Sequence, residues 1–332
     1  MRISIDKKIV VLICTLILVV SNLTACGSSN SSSANSGNLK LLFVCNDVTG
    51  DDFLTLLAEA MFEAGDSNGV TVDTAYSDNS VEEQMDQIAS AKSSGYDAII
   101  CRLTDVSTAL QAEVAADGLP IVFINASPDE DRLEANQYIY VGSPENTAGR
   151  LQAEHVWTAL GKPSSVNAVM MMGESIHPGA IARSAGVEEY FEDNGVEVNF
   201  VFKDYADWSE DTAHDFFDIF LETNQDYDCV FCNNDSMAVG VISAMEENGI
   251  DPTQIPIAGS DGTSAGCELI EDGKLLYSGY QSASGQGTKA VESAIAIVNT
   301  GSIENVEGVS DDNMYVWVPY EAITSSNVSS YK

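Results

Sequence analysis

Tyr227-Asp-Cys-Val-Phe-Cys-Asn-Asn-Asp-Ser-Met-Ala-Val-Gly240, with its shorter echo Ile255-Pro-Ile-Ala-Gly-Ser-Asp-Gly262, decides how the rest of the chain reads. In each, a short apolar run predicts a buried strand that stops at polar groups: Asn233, Asn234 and Asp235 in the first, Asp261 in the second. A helical pattern follows each stop. Open α/β sheets bind ligands at the carboxyl ends of their strands, where loops meet helix N-termini. Two successive βα units that place amide and carboxylate groups there predict a site for a small, hydroxyl-rich molecule. The alternative is that Asn234 and Asp261 only cap the helices after them.

Strand and helix patterns alternate on either side of this stretch. Upstream, 39–45 is apolar and ends at Asn46 and Asp47, and 53–64 has helical spacing with Phe53, Leu56, Leu57, Ala60 and Met61 on one face. Strand 70–75, helix 81–91, strand 98–101, helix 106–116 and strand 120–125, ending on Asn125, complete a first series. After a strand at 138–141, a second series runs helix 147–160, strand 167–172, helix 180–194, strand 196–202 and helix 211–221. It continues with strand 229–232, helix 236–248 and strand 255–259, and a small-residue helix at 287–299 and a strand at 315–319 close the chain. This order predicts an α/β fold of two Rossmann-like lobes, each with a parallel sheet and right-handed crossovers. Two such lobes in one chain create a cleft of the kind that holds small molecules.

The first 25 residues read as an export signal: Arg2, Lys7 and Lys8, an apolar core at 9–20, then Leu23-Thr24-Ala25-Cys26. That last run resembles a bacterial lipobox, in which Cys26 receives lipid and becomes the first mature residue; an ordinary secretory signal is the alternative. The apolar core is short for a membrane-spanning helix. Residues 26–38, rich in Ser, Asn and Gly, form a flexible linker by composition. The expected picture is a body outside the cytoplasm, held off the bacterial cell membrane by its lipidated tip.

With 51 acidic against 14 basic residues, the formal net charge is −37. Affinity for phosphate backbones needs cationic groups, so nucleic acid is excluded as a partner. Cys45, Cys101, Cys229, Cys232 and Cys267 lie in the body. Cys229 and Cys232 form a C-x-x-C that can signal redox or zinc chemistry. No second Cys/His pair lies near in sequence, so buried free thiols are the expectation.

Candidate site residues gather at strand ends and the loops after them: Asp51, Asp52 and Phe53; Asn125; His177 and Arg183; Trp208; Asn234; Asp261; Gln281. A pyranose offers hydroxyls that donate and accept around two apolar C–H faces. Asp and Asn/Gln match such groups in plane, and Arg supplies a fixed fork of donors. Phe53 and Trp208 are suited to cover the two faces. Each also has a plainer reading: Phe53 as a core residue, Trp208 as a loop anchor, His177 as a solvated loop histidine.

Taken in order, these residues resemble a type I periplasmic sugar-binding protein, most closely the galactose/glucose-binding subfamily, over the whole body. Asp51 and Phe53 match its first-helix acid and aromatic, and Asn125 the amide of the fourth strand. His177 and Arg183, in Gly173-Glu-Ser-Ile-His-Pro-Gly-Ala-Ile-Ala-Arg183, match its His-Pro-Asp-Ala-x-Ala-Arg segment. Trp208 matches the stacking tryptophan, Asn234 the amide of Asn-Asn-Asp-x-Met-Ala-x-Gly, and Asp261 the acid closing the next strand. Gln281 stands where a related asparagine is usual. One departure concerns ligand identity: Gly179 replaces an acid that in the subfamily contacts the sugar.

The resemblance implies two lobes joined by a three-crossing hinge, 39–141 plus 281–308 and 142–280 plus 309–332. It also implies a monomer without cofactor that takes a monosaccharide, a galactose- or glucose-like hexose first, and delivers it to an ABC importer. The segment Leu160-Gly-Lys-Pro-Ser-Ser-Val-Asn167 is too short for the calcium loop of some subfamily members, so no bound metal is expected. A sensor that reports sugar occupancy to a membrane receptor or kinase has the same fold. An extracellular carbohydrate-active enzyme needs two carboxylates flanking the scissile bond. No nucleophile motif appears, and a non-enzyme is the reading. The export signal and the absence of a basic helix-turn-helix exclude a repressor.

Overall fold

The computed structural model describes residues 39–46 and 52–331. The predicted export signal and linker, Cys26 and Asp51 lie outside them. The first part of the chain forms β1 (Lys40–Cys45), α1 (Asp52–Asn68), β2 (Thr71–Tyr76), α2 (Val81–Ala91), β3 (Ala98–Cys101), α3 (Ala109–Ala115), β4 (Ile121–Ile124) and β5 (Tyr138–Gly142). Next come α4 (Glu145–Ala159), β6 (Ser165–Met172), α5 (Pro178–Asp193), β7 (Glu197–Tyr205), α6 (Glu210–Glu222), β8 (Cys229–Cys232) and α7 (Asp235–Glu247). The chain ends with β9 (Ile257–Asp261), α8 (Ser264–Glu271), β10 (Tyr277–Tyr280), α9 (Ala283–Thr300), β11 (Tyr315–Trp317) and β12 (Glu321–Ile323).

These strands make two sheets with the same order, β2-β1-β3-β4-β5-β11 and β7-β6-β8-β9-β10-β12. The first is parallel throughout, and in the second only β12 runs antiparallel to its neighbour. Each order reverses direction beside its first strand, the switch point where open α/β sheets place ligands. Both faces of each sheet are covered, which is why the strands are almost uninterrupted apolar runs. Leu41, Phe43 and Cys45 pack toward α1 and α9, while Leu42 and Val44 pack toward α2 and α3.

The chain passes between the sheets three times. It leaves β5 for α4, leaves β10 for α9, which packs on the first sheet with Ala290, Val291 and Ala294 buried, and leaves β11 for β12. The last passage corrects the expected boundary at 309. Tyr315–Trp317 pairs with β5 and Val309 bridges to Val316, so this segment belongs to the first lobe and the passage is Val318-Pro319-Tyr320. Pro319 has no N–H for a ladder, which ends the predicted strand 315–319 early.

Other differences are local. The helix predicted at 106–116 opens with a 3₁₀ turn at Val106–Thr108, where Asp105 accepts from the Ser107 N–H at 2.9 Å. The strand predicted at 196–202 runs on to Tyr205, past a register irregularity opposite Ala168 and Val169. The sequence reading did not include α8, β10 or β12. Cys229 and Cys232 are both buried, three residues apart in a strand of period two, and so pack into opposite faces of the sheet. That alternation keeps the C-x-x-C pair apart, and burial raises both thiol pKa values.

Candidate functional site

Phe53, Asn125, His177, Arg183, Trp208, Asn234, Asp261 and Gln281 line one cleft of about 480 Å³. That volume lies in the range of small-molecule sites. The first two residues come from the first lobe and Gln281 from the second passage; in the second lobe Arg183 stands on α5, Asp261 ends β9, and His177, Trp208 and Asn234 lie just before helices.

Arg183 is carried by α5, whose approach to α4 is backbone on backbone. A Cβ on Gly149 would lie 1.8 Å from the Arg183 carbonyl oxygen. The guanidinium is buried and donates from Nε to Glu145 Oε2 at 2.6 Å, and from Nη1 to Asn233 O at 2.6 Å and Asp261 Oδ1 at 3.2 Å. Nη2 donates to Gln281 Oε1 at 3.1 Å and Tyr320 Oη at 2.8 Å. A guanidinium has five N–H groups, and here all are committed to protein acceptors. The expected fork of donors for a ligand is therefore a strut inside the protein. A buried cation must be paired and hydrogen-bonded, and this one is.

Glu145 and Tyr320, which the sequence reading did not single out, complete that cluster. Tyr320 donates to Glu145 Oε2 at 2.7 Å, and Gln281 Nε2 donates to Glu145 Oε1 at 2.9 Å. Glu145 follows the first passage, Gln281 lies in the second and Tyr320 in the third, so one carboxylate gathers all three. A Cβ on Gly179 would stand 3.6 Å from Glu145 Cδ. Glu145 thus fills the neighbourhood that an acid at 179 would enter, and supplies a carboxylate to Arg183 from another element.

Asn234 does two things. Its Oδ1 caps α7 by accepting from Met237 N–H at 2.9 Å, and its Nδ2 donates to the Trp208 carbonyl at 3.4 Å. The capping alternative therefore holds for Asn234, while α8 is capped by Thr263 and not by Asp261. Asp261 has φ 104° and Trp208 φ 63°, a region uncommon for side chains of this kind and one that concentrates at ligand sites. The Trp208 ring rests on Gly173, where a Cβ would come within 2.2 Å of the indole. Asn233 Oδ1 accepts from Gly173 N–H at 3.0 Å and holds that loop against β8.

His177 caps α5 through Nδ1, which accepts from Gly179 N–H at 3.1 Å. That bond fixes the tautomer with hydrogen on Nε2, and the ring meets Trp208 edge-on with centroids 5.2 Å apart. Burial, and then the charges of Arg102 and Arg183, push its pKa down to about 3, so it is a neutral donor. Asp235, the last polar group of the opening stretch, is fully buried behind the cleft. It accepts from Ser278 Oγ at 2.7 Å and Thr263 N–H at 2.9 Å, and burial lifts its pKa to about 6. In the first lobe, Asn125 sits at φ 62°, with its carbonyl accepting from Tyr140 Oη at 3.1 Å. Phe53 is half-buried between the first core and the cleft, so both of its readings apply.

Comparison with known proteins bears on what such a cleft holds. Residues 42–302 match the family model described as periplasmic binding protein domain. A putative rhizopine-binding protein of Rhizobium meliloti is 28% identical over 291 residues, 86% of this chain and 90% of the relative. The D-galactose/methyl-galactoside binding periplasmic protein MglB of Haemophilus influenzae is 25% identical, covering 92% of this chain and 95% of its own. Among solved structures, an ABC transporter solute binding protein of Bacillus halodurans C-125 with bound myo-inositol superposes with a TM-score of 0.78 at 29% identity. That match covers 90% of this chain and 99% of the other.

Proposed function

The chain belongs to the type I periplasmic sugar-binding family, and on that premise we propose that it captures one six-membered ring polyol outside the cytoplasm and hands it to an ABC importer. A galactose- or glucose-like hexose is the first choice of ligand. An inositol is the second, supported by the myo-inositol in the 29% identical solved relative. The observation that carries the reading is the cleft itself. Phe53 in one lobe and Trp208 in the other offer apolar faces, and between them stand the neutral His177 donor, the Asn125 and Asn234 amides and the Asp261 carboxylate. Asp51, Phe53, Asn125, His177, Trp208, Asn234 and Asp261 are the residues we assign to the ligand, with Arg183 and Gln281 bracing Asp261 and the hinge. Polar groups left unpaired by a wrong epimer cost about 1–3 kcal/mol each, which gives such a site its selectivity.

Closure is a population shift driven by contacts to both lobes. Cys26 is the proposed lipid attachment, and a permease the proposed listener. A sensor reads the same closure through a membrane receptor or kinase, and crosslinking the loaded protein in membranes identifies which partner it meets. A thermal-shift screen of hexoses, pentoses and inositols tests the capture reading. A specific ligand at 100 times its Kd adds about 2.7 kcal/mol of stability. If none moves the transition, the sugar assignment is wrong. Turnover of the bound sugar would point instead to an enzyme.

A further inference from the structure

Arg102 has no part in the reading above, yet it is the most firmly mounted cation on the first lobe's wall of the cleft. It follows β3, next to the switch point of the sheet, and its backbone is locked on both sides. The N–H donates to Val44 O at 3.0 Å, and the carbonyl accepts from Nε2 of the buried Gln84 at 3.0 Å. Gln84 Oε1 accepts in turn from the Thr104 N–H at 3.0 Å. The side chain is aimed as well, since Nε donates to Asn125 Oδ1 at 2.9 Å.

That bond has two effects. It occupies one lone pair of the Asn125 oxygen and holds the amide in place at the cleft. It also fixes the guanidinium plane while leaving Nη1 and Nη2 unused. Among the described residues neither Nη makes a hydrogen bond and no carboxylate pairs with the group, in a chain with 51 acidic residues. Arg183 differs on both counts, being paired with Glu145 and Asp261. His177, whose titration feels the charge of Arg102, is neutral and offers it no counter-charge. An unpaired guanidinium enclosed by lobe closure is costly unless the ligand supplies acceptors. Its fork geometry suits two oxygens side by side.

We infer that Arg102 is a ligand-contacting, specificity-determining residue whose Nη1 and Nη2 take a pair of neighbouring oxygens, two vicinal ring hydroxyls or one carboxylate. This rests on the capture reading and deepens it, because it says what the ligand presents to the first lobe.

The test is calorimetry on the full chain with D-galactose, D-glucose, myo-inositol, D-galacturonate and D-gluconate. The tightest of these is then titrated into R102M and R102K. The Met variant keeps the stem of the side chain and removes the fork. We expect it to bind about 10- to 100-fold more weakly, the loss typical of a charge-assisted hydrogen bond or pair of them. Its ligand-free melting temperature should fall only by what the lost bond to the Asn125 oxygen contributes, with the fold retained. Lys keeps the charge without the fork and falls between. Deoxy analogues then locate the contact: the analogue lacking an oxygen that Arg102 holds loses affinity for wild type but little more for R102M. A neutral polyol as tightest ligand assigns the vicinal pair, and an acid assigns the carboxylate. R102M binding within twofold of wild type, or R102K equal to it, overturns the inference while leaving sugar capture standing. Wild type that binds none of the five, and is shifted by no sugar or inositol in the thermal screen, overturns both.

Discussion

Glu145 holds two donors on one oxygen and one on the other, and its partners Arg183 and Tyr320 are themselves buried. Removing one member of a buried pair costs about 3–5 kcal/mol where the other charge is left bare, and here Asp261 remains beside Arg183 as a second counter-charge. Glu145→Ala should therefore lower stability in urea denaturation by up to about 3 kcal/mol, although Glu145 does not line the cleft. His177 makes a prediction in pH. Its folded pKa of about 3 lies below the ordinary value of 6.5, so between these values the unfolded chain binds a proton that the native chain does not. Stability from this group is present in full above about pH 6.5 and is lost as pH falls toward 3. Asp235, raised to about 6 by burial, acts in the opposite sense: its penalty is full above that pH and is relieved as pH drops toward 4. The difference between wild type and His177→Gln across that range isolates the histidine. A flat difference curve would mean that it titrates normally.

At the scale of elements, the helix pair α4 and α5 sets where Arg183 stands. Gly149→Ala would drive a methyl into the Arg183 carbonyl, where the unsubstituted Cβ position already lies 1.8 Å away. Overpacking of this kind costs about 1–3 kcal/mol or more, so we expect a lower melting temperature together with weaker ligand binding as α5 is displaced. Gly149→Ser, larger still, should be worse on both measures. The elements also show what the sequence could reveal. β8 and β9 were legible because an apolar run stops abruptly at polar residues, and Asn234 and Asp261 were legible with them. β10 was not, because Tyr277-Ser-Gly-Tyr280 carries no apolar run and becomes a strand only between β9 and β12. Glu145 and Tyr320 escaped for another reason. They lie 175 positions apart, and nothing local marks either one until the three passages bring them together. In the sequence Arg102 is a single arginine after a strand, and only the Asn125 bond gives it a direction.

For the whole molecule, the tether and the hinge are separate questions. Cys26→Ser should release the protein from the membrane fraction into the medium or periplasm while the secreted body keeps its ligand affinity, and metabolic labelling with a fatty acid should be lost with the cysteine. Retention in the membrane fraction would place the anchor elsewhere. The hinge has a mechanical property that follows from Glu145. Three strands of chain join the lobes, and each sends one group to the same carboxylate or stands beside it. Sliding one lobe along the other would shear at least one of those bonds, whereas turning about the carboxylate keeps all of them at length. The three passages are therefore built to let the lobes pivot about Glu145 rather than slide past one another.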